Sequence, residues 1–230
     1  MTAHLDHVRA VLFDKDGTLV DVEATWGPSM AAALTDLIHD ADVRRRAAEA
    51  IGLILDTGRL VPDGPIIAES NGQICRRLGP IVGRTPDDLL VDFERHLFAH
   101  ALEHVTPVDG VGPVLEVLRV AGLWIGLATN DAEQAAREQL DLLGVLGFFD
   151  SVVGYDSGFG EKPAPGMVTA SIERAGVPAD ALIMVGDTDT DLGAAHAAGC
   201  RTVLVHAPVA TIEPTVRLDT LSELPGLLGL

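Results

Sequence analysis

From Pro107 onward the chain alternates between short apolar runs and amphipathic stretches, and this alternation restricts the fold more than any other feature. Val111–Ala121 reads as a helix and Leu123–Ala128 as a buried strand. Glu133–Leu143 reads as a helix, Ser151–Gly154 as a short strand and Ala164–Ala175 as a further helix. The strand Ala181–Val185, the short helix Asp191–Ala198 and the strand Arg201–Val205 complete the series. Far upstream, Val8–Phe13 is another short apolar run of the kind buried on both faces. Strands separated by helices require right-handed βαβ crossovers, and so a parallel sheet covered by helices on both faces. The expected fold class is therefore α/β, a doubly wound parallel sheet.

The segment between the first strand and Pro107 has a different texture. Leu89, Phe93, Leu97 and Ala101 recur every four residues, and Met30, Leu34 and Ile38 form a similar stripe, both marking one face of a helix. Pro86 with Asp87 and Asp88 makes a favourable helix start. The reading is of an α/β core formed by residues 1–20 and 106–230, split by a helical insertion over residues 21–105. The insertion leaves the first strand at its C-terminal end, the edge where open α/β sheets bind ligands, and is placed to act as a cap.

Composition narrows the function. With 47% hydrophobic and 22% charged residues the chain is an ordinary globular one. No apolar run approaches the ~18 residues of a membrane span. The first residues, with His4, Asp6, His7 and Arg9, do not form a signal peptide, so a cytoplasmic location is expected. The net charge of −18 argues against a nucleic-acid partner. A small phosphorylated molecule remains compatible if a metal ion and a few cations attract it locally. Cys75 and Cys200 are far apart and are read as two reduced thiols. Lysine is scarce, at positions 15 and 162 only.

Polar residues stand where the core strands end: Asp14 and Asp16, Thr129 and Asn130, Lys162, then Asp187 and Asp191. In a parallel sheet these ends share an edge. Alternation along an extended segment would send Asp14 and Asp16 to one side and Lys15 to the other, leaving Lys15 to pair with a surface acid. Carboxylates beside Asp187 make a hard oxygen site suited to Mg²⁺. One carboxylate can attack phosphorus while another protonates the leaving oxygen and later activates water. Thr129 near a helix start can cradle phosphate or serve as the helix N-cap. Plainer roles are a turn at Asp14–Gly17, a helix-start charge at Asp191 and a solvent-facing or capping Asp189. His39, His96 and His100 are read as lacking ligand spacing, with no metal role.

The strings LFDKDGTLVD, LATN, EKPAP and GDTDTD, in this order, resemble the four motifs of the haloacid dehalogenase superfamily. The resemblance implies a Rossmann-like core with Asp14 as nucleophile and Asp16 as general acid/base. It puts Thr129 and Lys162 on the phosphate, with Asn130 as a second phosphate or hydrogen-bond candidate. It puts Mg²⁺ on Asp14, Asp187 and the backbone carbonyl of Asp16. Asp191 and Thr18 would stand behind these groups, Asp191 holding the metal's waters or Lys162. The helical insertion is similar to the cap of the phosphoglycolate phosphatase-like branch.

The reaction expected is Mg²⁺-dependent hydrolysis of a small phosphomonoester through an aspartyl-phosphate, with 2-phosphoglycolate as the substrate candidate. Alternatives are a phosphomutase, a dehalogenase, phosphonate cleavage or a silent binding protein. The intact Asp16-Gly17-Thr18 disfavours a dehalogenase, and the lack of a cap lysine disfavours phosphonate cleavage and phosphomutase chemistry. Among the cap arginines most read as solvated. Arg84, in a loop before a helix, and Asn71, in another polar break, are the candidates for reading the rest of the substrate.

Overall fold

A computed structural model describes residue 5 and residues 7–62, 64–207 and 210–230. His4 and Asp6 of the N-terminal segment lie outside the described residues. The chain divides into two compact units: Met1–Asp21 with Pro107–Leu230, and Val22–Thr106.

In chain order, β1 (Ala10–Phe13) is followed by the elements of the second unit. These are α1 (Val22–Leu37), α2 (Ala41–Ile51), β2 (Leu53–Ile54), β3 (Arg59–Leu60), α3 (Pro65–Ala68), α4 (Asn71–Val82) and α5 (Pro86–His104). The first unit resumes with α6 (Val111–Val120), β4 (Trp124–Ala128), α7 (Glu133–Leu142), β5 (Ser151–Val153) and α8 (Gly166–Ala175). It ends with β6 (Leu182–Gly186), α9 (Asp189–Ala197), β7 (Arg201–Val205), β8 (Val216–Leu218) and α10 (Leu224–Leu227).

The six strands of the first unit run in the order β5-β4-β1-β6-β7-β8, and every pairing is parallel. The doubly wound α/β reading holds, with β8 as an additional edge strand. Period-two alternation divides the core between the sheet's faces. Val11, Phe13, Ile125, Leu127, Ile183 and Val185 pack with residues of α6 and α7. Ala10, Leu12, Ala128, Leu182 and Met184 pack with residues of α8 and α9. Burying each large apolar side chain of this kind stabilises the fold by about 1.5–3 kcal/mol.

Register is what positions the site. Phe13 lies opposite Leu127 on one side and Val185 on the other. The next residues, Asp14, Ala128 and Gly186, therefore end their strands abreast. The winding also reverses at β1, with β4 and β5 to one side and β6 to β8 to the other. That is the topological switch point at which open α/β sheets bind ligands.

The second unit has a core of its own, built from Met30, Leu34, Ile38, Leu89, Phe93 and Leu97 among others. Pro86 opens α5 with Asp87 and Asp88 in its first turn, as the sequence suggested, and Thr85 caps it, its Oγ1 accepting the Asp88 N–H. The antiparallel β2–β3 pair is an addition to the helical expectation. Cys75 and Cys200 are free and buried, and burial is the main cause pushing both thiols up to about 11. Among the described residues, no helix is long and apolar enough to cross a membrane.

Candidate active site

The site begins where β1 stops being extended. After Asp14 the backbone turns tightly: the Lys15 carbonyl accepts the N–H groups of Thr18, Leu19 and Val20, and the Gly17 N–H donates to Val20. Gly17 sits at φ +82°, where a side chain is disfavoured. A Cβ there would fall 2.0 Å from Asp187 Oδ2, so the absent side chain is what admits Asp187.

This turn corrects the alternation argument for Lys15. Its side chain is fully buried, not turned to a surface acid, because the chain is no longer extended at that point. Lys15 Nζ lies 2.9 Å from Asp16 Oδ2 and 3.1 Å from Asp131 Oδ2, and it also donates to Gln139 Oε1. Asp16 is thus engaged with Lys15, while a separate group of carboxylates gathers around Lys162.

That group is Asp14, Asp187 and Asp191, each offering one oxygen within 4.8 Å of the others. Lys162 Nζ, also buried, donates to Asp14 Oδ1 and, at 2.6 Å, to Asp191 Oδ1. Asp191 is more than a helix-start charge. Its Oδ2 accepts both the N–H and the hydroxyl of Thr188, closing a capping box at the start of α9. A Cβ on Gly186 would collide with it at 2.5 Å. Asp189 is half-buried and accepts from the backbone of Thr211 and Ile212, tying down the following loop.

Burial is the main influence on the carboxylates. It raises Asp14 to about 7, opposed by Lys162 and reinforced by Asp191 and Asp16. It raises Asp187 to about 8, with Asp14 and Asp191 adding to the rise. Burial would lower Lys162, but Asp14 and Asp191 outweigh it and the ammonium is held well above its ordinary range. Asp187 Oδ1 and Thr18 Oγ1 are buried with no hydrogen-bond partner among the described residues. An orphaned carboxylate oxygen inside a cluster of like charges fits a hard divalent cation.

Thr129 and Asn130 follow β4. Thr129 is not the helix cap: α7 begins after Ala132, because Asp131 and Ala132 intervene in the turn. Thr129 Oγ1 accepts the Asp131 N–H at 3.1 Å, which leaves the hydroxyl hydrogen for a phosphate oxygen. The Asn130 amide is spent on the backbone of Lys162 in both directions, so in this arrangement it holds the lysine and does not face a phosphate.

The remaining candidates belong to the helical unit. Arg84 donates to the Asp88 carbonyl at 2.6 Å and to Asp92 Oδ2 at 2.8 Å. Asn71 Nδ2 donates to Glu94 Oε1 at 3.3 Å. Two residues that sequence reasoning passed over for the site, Asp131 and Gln139, complete the surroundings of Lys15. Gln139 carried a signal, since it is a polar residue on the face that Ala136 and Leu140 bury.

Comparison with known proteins gives the family. The family model described as haloacid dehalogenase-like hydrolase matches residues 8–199. The phosphoglycolate phosphatase of Chromobacterium violaceum is 30% identical over 98% of this chain and 98% of its own length. Among solved structures, magnesium-bound YfnB of Bacillus subtilis superposes with a TM-score of 0.73 at 18% identity, covering 97% of this chain and 99% of that one. CbbY of Rhodobacter sphaeroides, in complex with phosphate, gives 0.69 at 18% identity over 97% and 100%. The chain therefore belongs to the haloacid dehalogenase-like hydrolases, as a member similar to phosphoglycolate phosphatases.

Proposed function

We infer that the protein hydrolyses phosphomonoesters with Mg²⁺ as cofactor, passing the phosphoryl group through Asp14. One observation carries the reading: the oxygens of Asp14, Asp187 and Asp191 lie within 4.8 Å of one another, and the Lys162 ammonium donates to two of the three.

In this reading Asp14, Asp187 and the backbone carbonyl of Asp16 hold the ion, and Asp191 steadies Lys162. Bound there, Mg²⁺ supplies positive charge that offsets the carboxylates and the substrate phosphate. Asp14 attacks phosphorus, its new O–P bond forming as the bond to the leaving oxygen breaks. Protonated Asp16 gives its proton to that oxygen. The resulting carboxylate then takes a proton from the water that attacks the aspartyl-phosphate, releasing inorganic phosphate and restoring both residues. Lys162 and the Thr129 hydroxyl hold the phosphate oxygens throughout.

The test is release of phosphate from an aryl phosphate with and without Mg²⁺. Metal-dependent release supports the reading, and its absence from the purified protein refutes it.

For the natural substrate we favour a small phosphorylated acid such as 2-phosphoglycolate, supported by the named activity of the Chromobacterium relative. Arg84 remains the candidate for its carboxylate, its Nη2 being paired with Asp92. Comparing kcat/KM on 2-phosphoglycolate and on uncharged esters, in wild type and Arg84→Ala, decides this. A loss confined to the acid supports the assignment, and equal losses exclude it.

A further inference from the structure

Lys15 is a buried charge with no part in the reaction described above. Withdrawing an ammonium from water costs several kcal/mol unless good partners replace the solvent. Here Lys15 Nζ donates to Asp16 and to Gln139 and forms an ion pair with Asp131 Oδ2 at 3.1 Å. Asp131 is itself mostly buried and Gln139 wholly so, whereas Asp16 keeps 28% of its side chain exposed. Two of the partners thus anchor the ammonium from within the protein, and the third is the one carboxylate of the group that reaches outward.

We propose that Lys15 is a positioning residue for Asp16, fixed by Asp131 and Gln139 so that the acid/base carboxylate is held in one place. The inference rests on the reading of Asp16 as general acid/base. Lys15 contacts both oxygens of Asp16, at 2.9 and 3.1 Å, which restrains the rotation of that carboxylate. Its anchors come from another part of the sheet edge. Asp131 lies in the turn after β4, two residues beyond Thr129, and Gln139 lies on α7. The Lys15 bridge therefore joins the loop after β1, which bears the nucleophile and the acid, to the strand end proposed to hold the phosphate. A proton donor displaced by an ångström relative to the phosphoryl group loses about 100-fold in rate. That sensitivity gives a physical reason to retain a costly buried lysine beside it. The chain's two lysines then have parallel tasks, Lys162 at the nucleophile and Lys15 at the acid/base.

The experiment compares wild type, Asp16→Ala and the double variant Lys15→Met/Asp131→Asn. The double variant replaces the buried ion pair by uncharged groups of similar length, leaving only the partly exposed Asp16 without its cation. Gln139→Leu loosens the anchor while keeping the ion pair, and stands in if the double variant fails to fold. Each is assayed with Mg²⁺ on an alkyl and an aryl phosphate. A positioning role predicts that kcat on the alkyl ester falls about 10–100-fold more than on the aryl ester, with KM little changed. Adding the double substitution to Asp16→Ala should then produce little further loss, since Lys15 acts only through Asp16. Equal losses on the two esters, unchanged kcat, or additive losses in the combined variant would overturn the role of Lys15. A wild type inactive on both esters, or an Asp16→Ala variant that does not discriminate between them, would instead overturn the reading of the site and this inference with it.

Discussion

Asn130 grips the backbone of Lys162 with both ends of its amide: Nδ2 donates to the Lys162 carbonyl at 2.9 Å, and Oδ1 accepts the Lys162 N–H at 2.8 Å. The pair ties the end of β4 to the loop before α8, so the ammonium at Asp14 is aimed partly by an amide 32 residues away.

From this follows a prediction for Asn130→Ala. Two hydrogen bonds are lost at a part-buried position, at a cost of about 1–3 kcal/mol. The Lys162 loop is released with them. We expect kcat to fall about tenfold or more, and Asn130→Asp, which keeps the acceptor but not the donor, to fall between that variant and wild type. Steady-state kinetics on an aryl phosphate with saturating Mg²⁺ checks the order of the three proteins. An alanine variant with wild-type kcat would mean that Lys162 needs no such support.

The cation prediction has a readout independent of turnover. An ion that binds only the folded chain stabilises it by about 2.7 kcal/mol at one hundred times its dissociation constant. Mg²⁺ should therefore raise the melting temperature of the EDTA-treated protein, and Asp187→Asn should largely abolish the rise. EDTA should eliminate activity and Mg²⁺ restore it. Ca²⁺, which tolerates more ligands at longer distances, should bind without restoring it. A melting temperature indifferent to Mg²⁺ would count against the carboxylate cluster as the ion's site.

The helical unit carries its own pH dependence. His96 and His100 share one oxygen of Asp36, at 3.1 and 2.8 Å, and His100 also meets Glu103 at 3.0 Å. Arg95 lies beside His96 but pairs with Asp92. Burial pulls His100 down, yet its bonds to Asp36 and Glu103 outweigh that and hold it above the ordinary 6.5. The bond from His100 is the main cause holding Asp36 below its ordinary 3.8. A raised histidine stabilises fully below its unfolded pKa and stops doing so as pH rises through the folded value. A lowered carboxylate stabilises above its unfolded pKa and stops as pH falls through the folded value. Stability from this cluster should therefore be greatest in the mildly acidic range. Thermal melts should show wild type losing more stability than Asp36→Asn between about pH 5.5 and pH 8.5. Parallel losses in the two proteins would remove the cluster from the account.

Much of the site was legible because a parallel sheet with this register brings strand ends together wherever they fall in the sequence. Asp14, Asp187 and Asp191 meet for that reason, whereas Lys162 comes from a loop beyond β5 and was singled out by the motif resemblance. Lys15 was misjudged because alternation applies only to extended backbone, and the chain turns at that residue. The partners of Arg84 escaped for a similar reason: Asp88 and Asp92 lie one and two turns along α5, so their meeting with a preceding loop depends on how the loop enters the helix. β2, β3 and β8 hold only two or three residues each, too few for any periodicity to emerge. The His96–His100 spacing of four was readable as a shared helix face, but Asp36 arrives from α1 through tertiary packing alone.

The central claim is that the phosphoryl group rests on Asp14, and the most direct measurement is to catch it there. Wild-type protein mixed with a phosphate-labelled ester and Mg²⁺, quenched in acid within one turnover and mapped by peptide, should carry the label on the peptide containing Asp14. Asp14→Asn should bind substrate, carry no label and turn over at least about 10³-fold more slowly, because an amide is a poor nucleophile and a poor ligand for the ion. Label on another residue, or undiminished turnover in Asp14→Asn, would contradict the account.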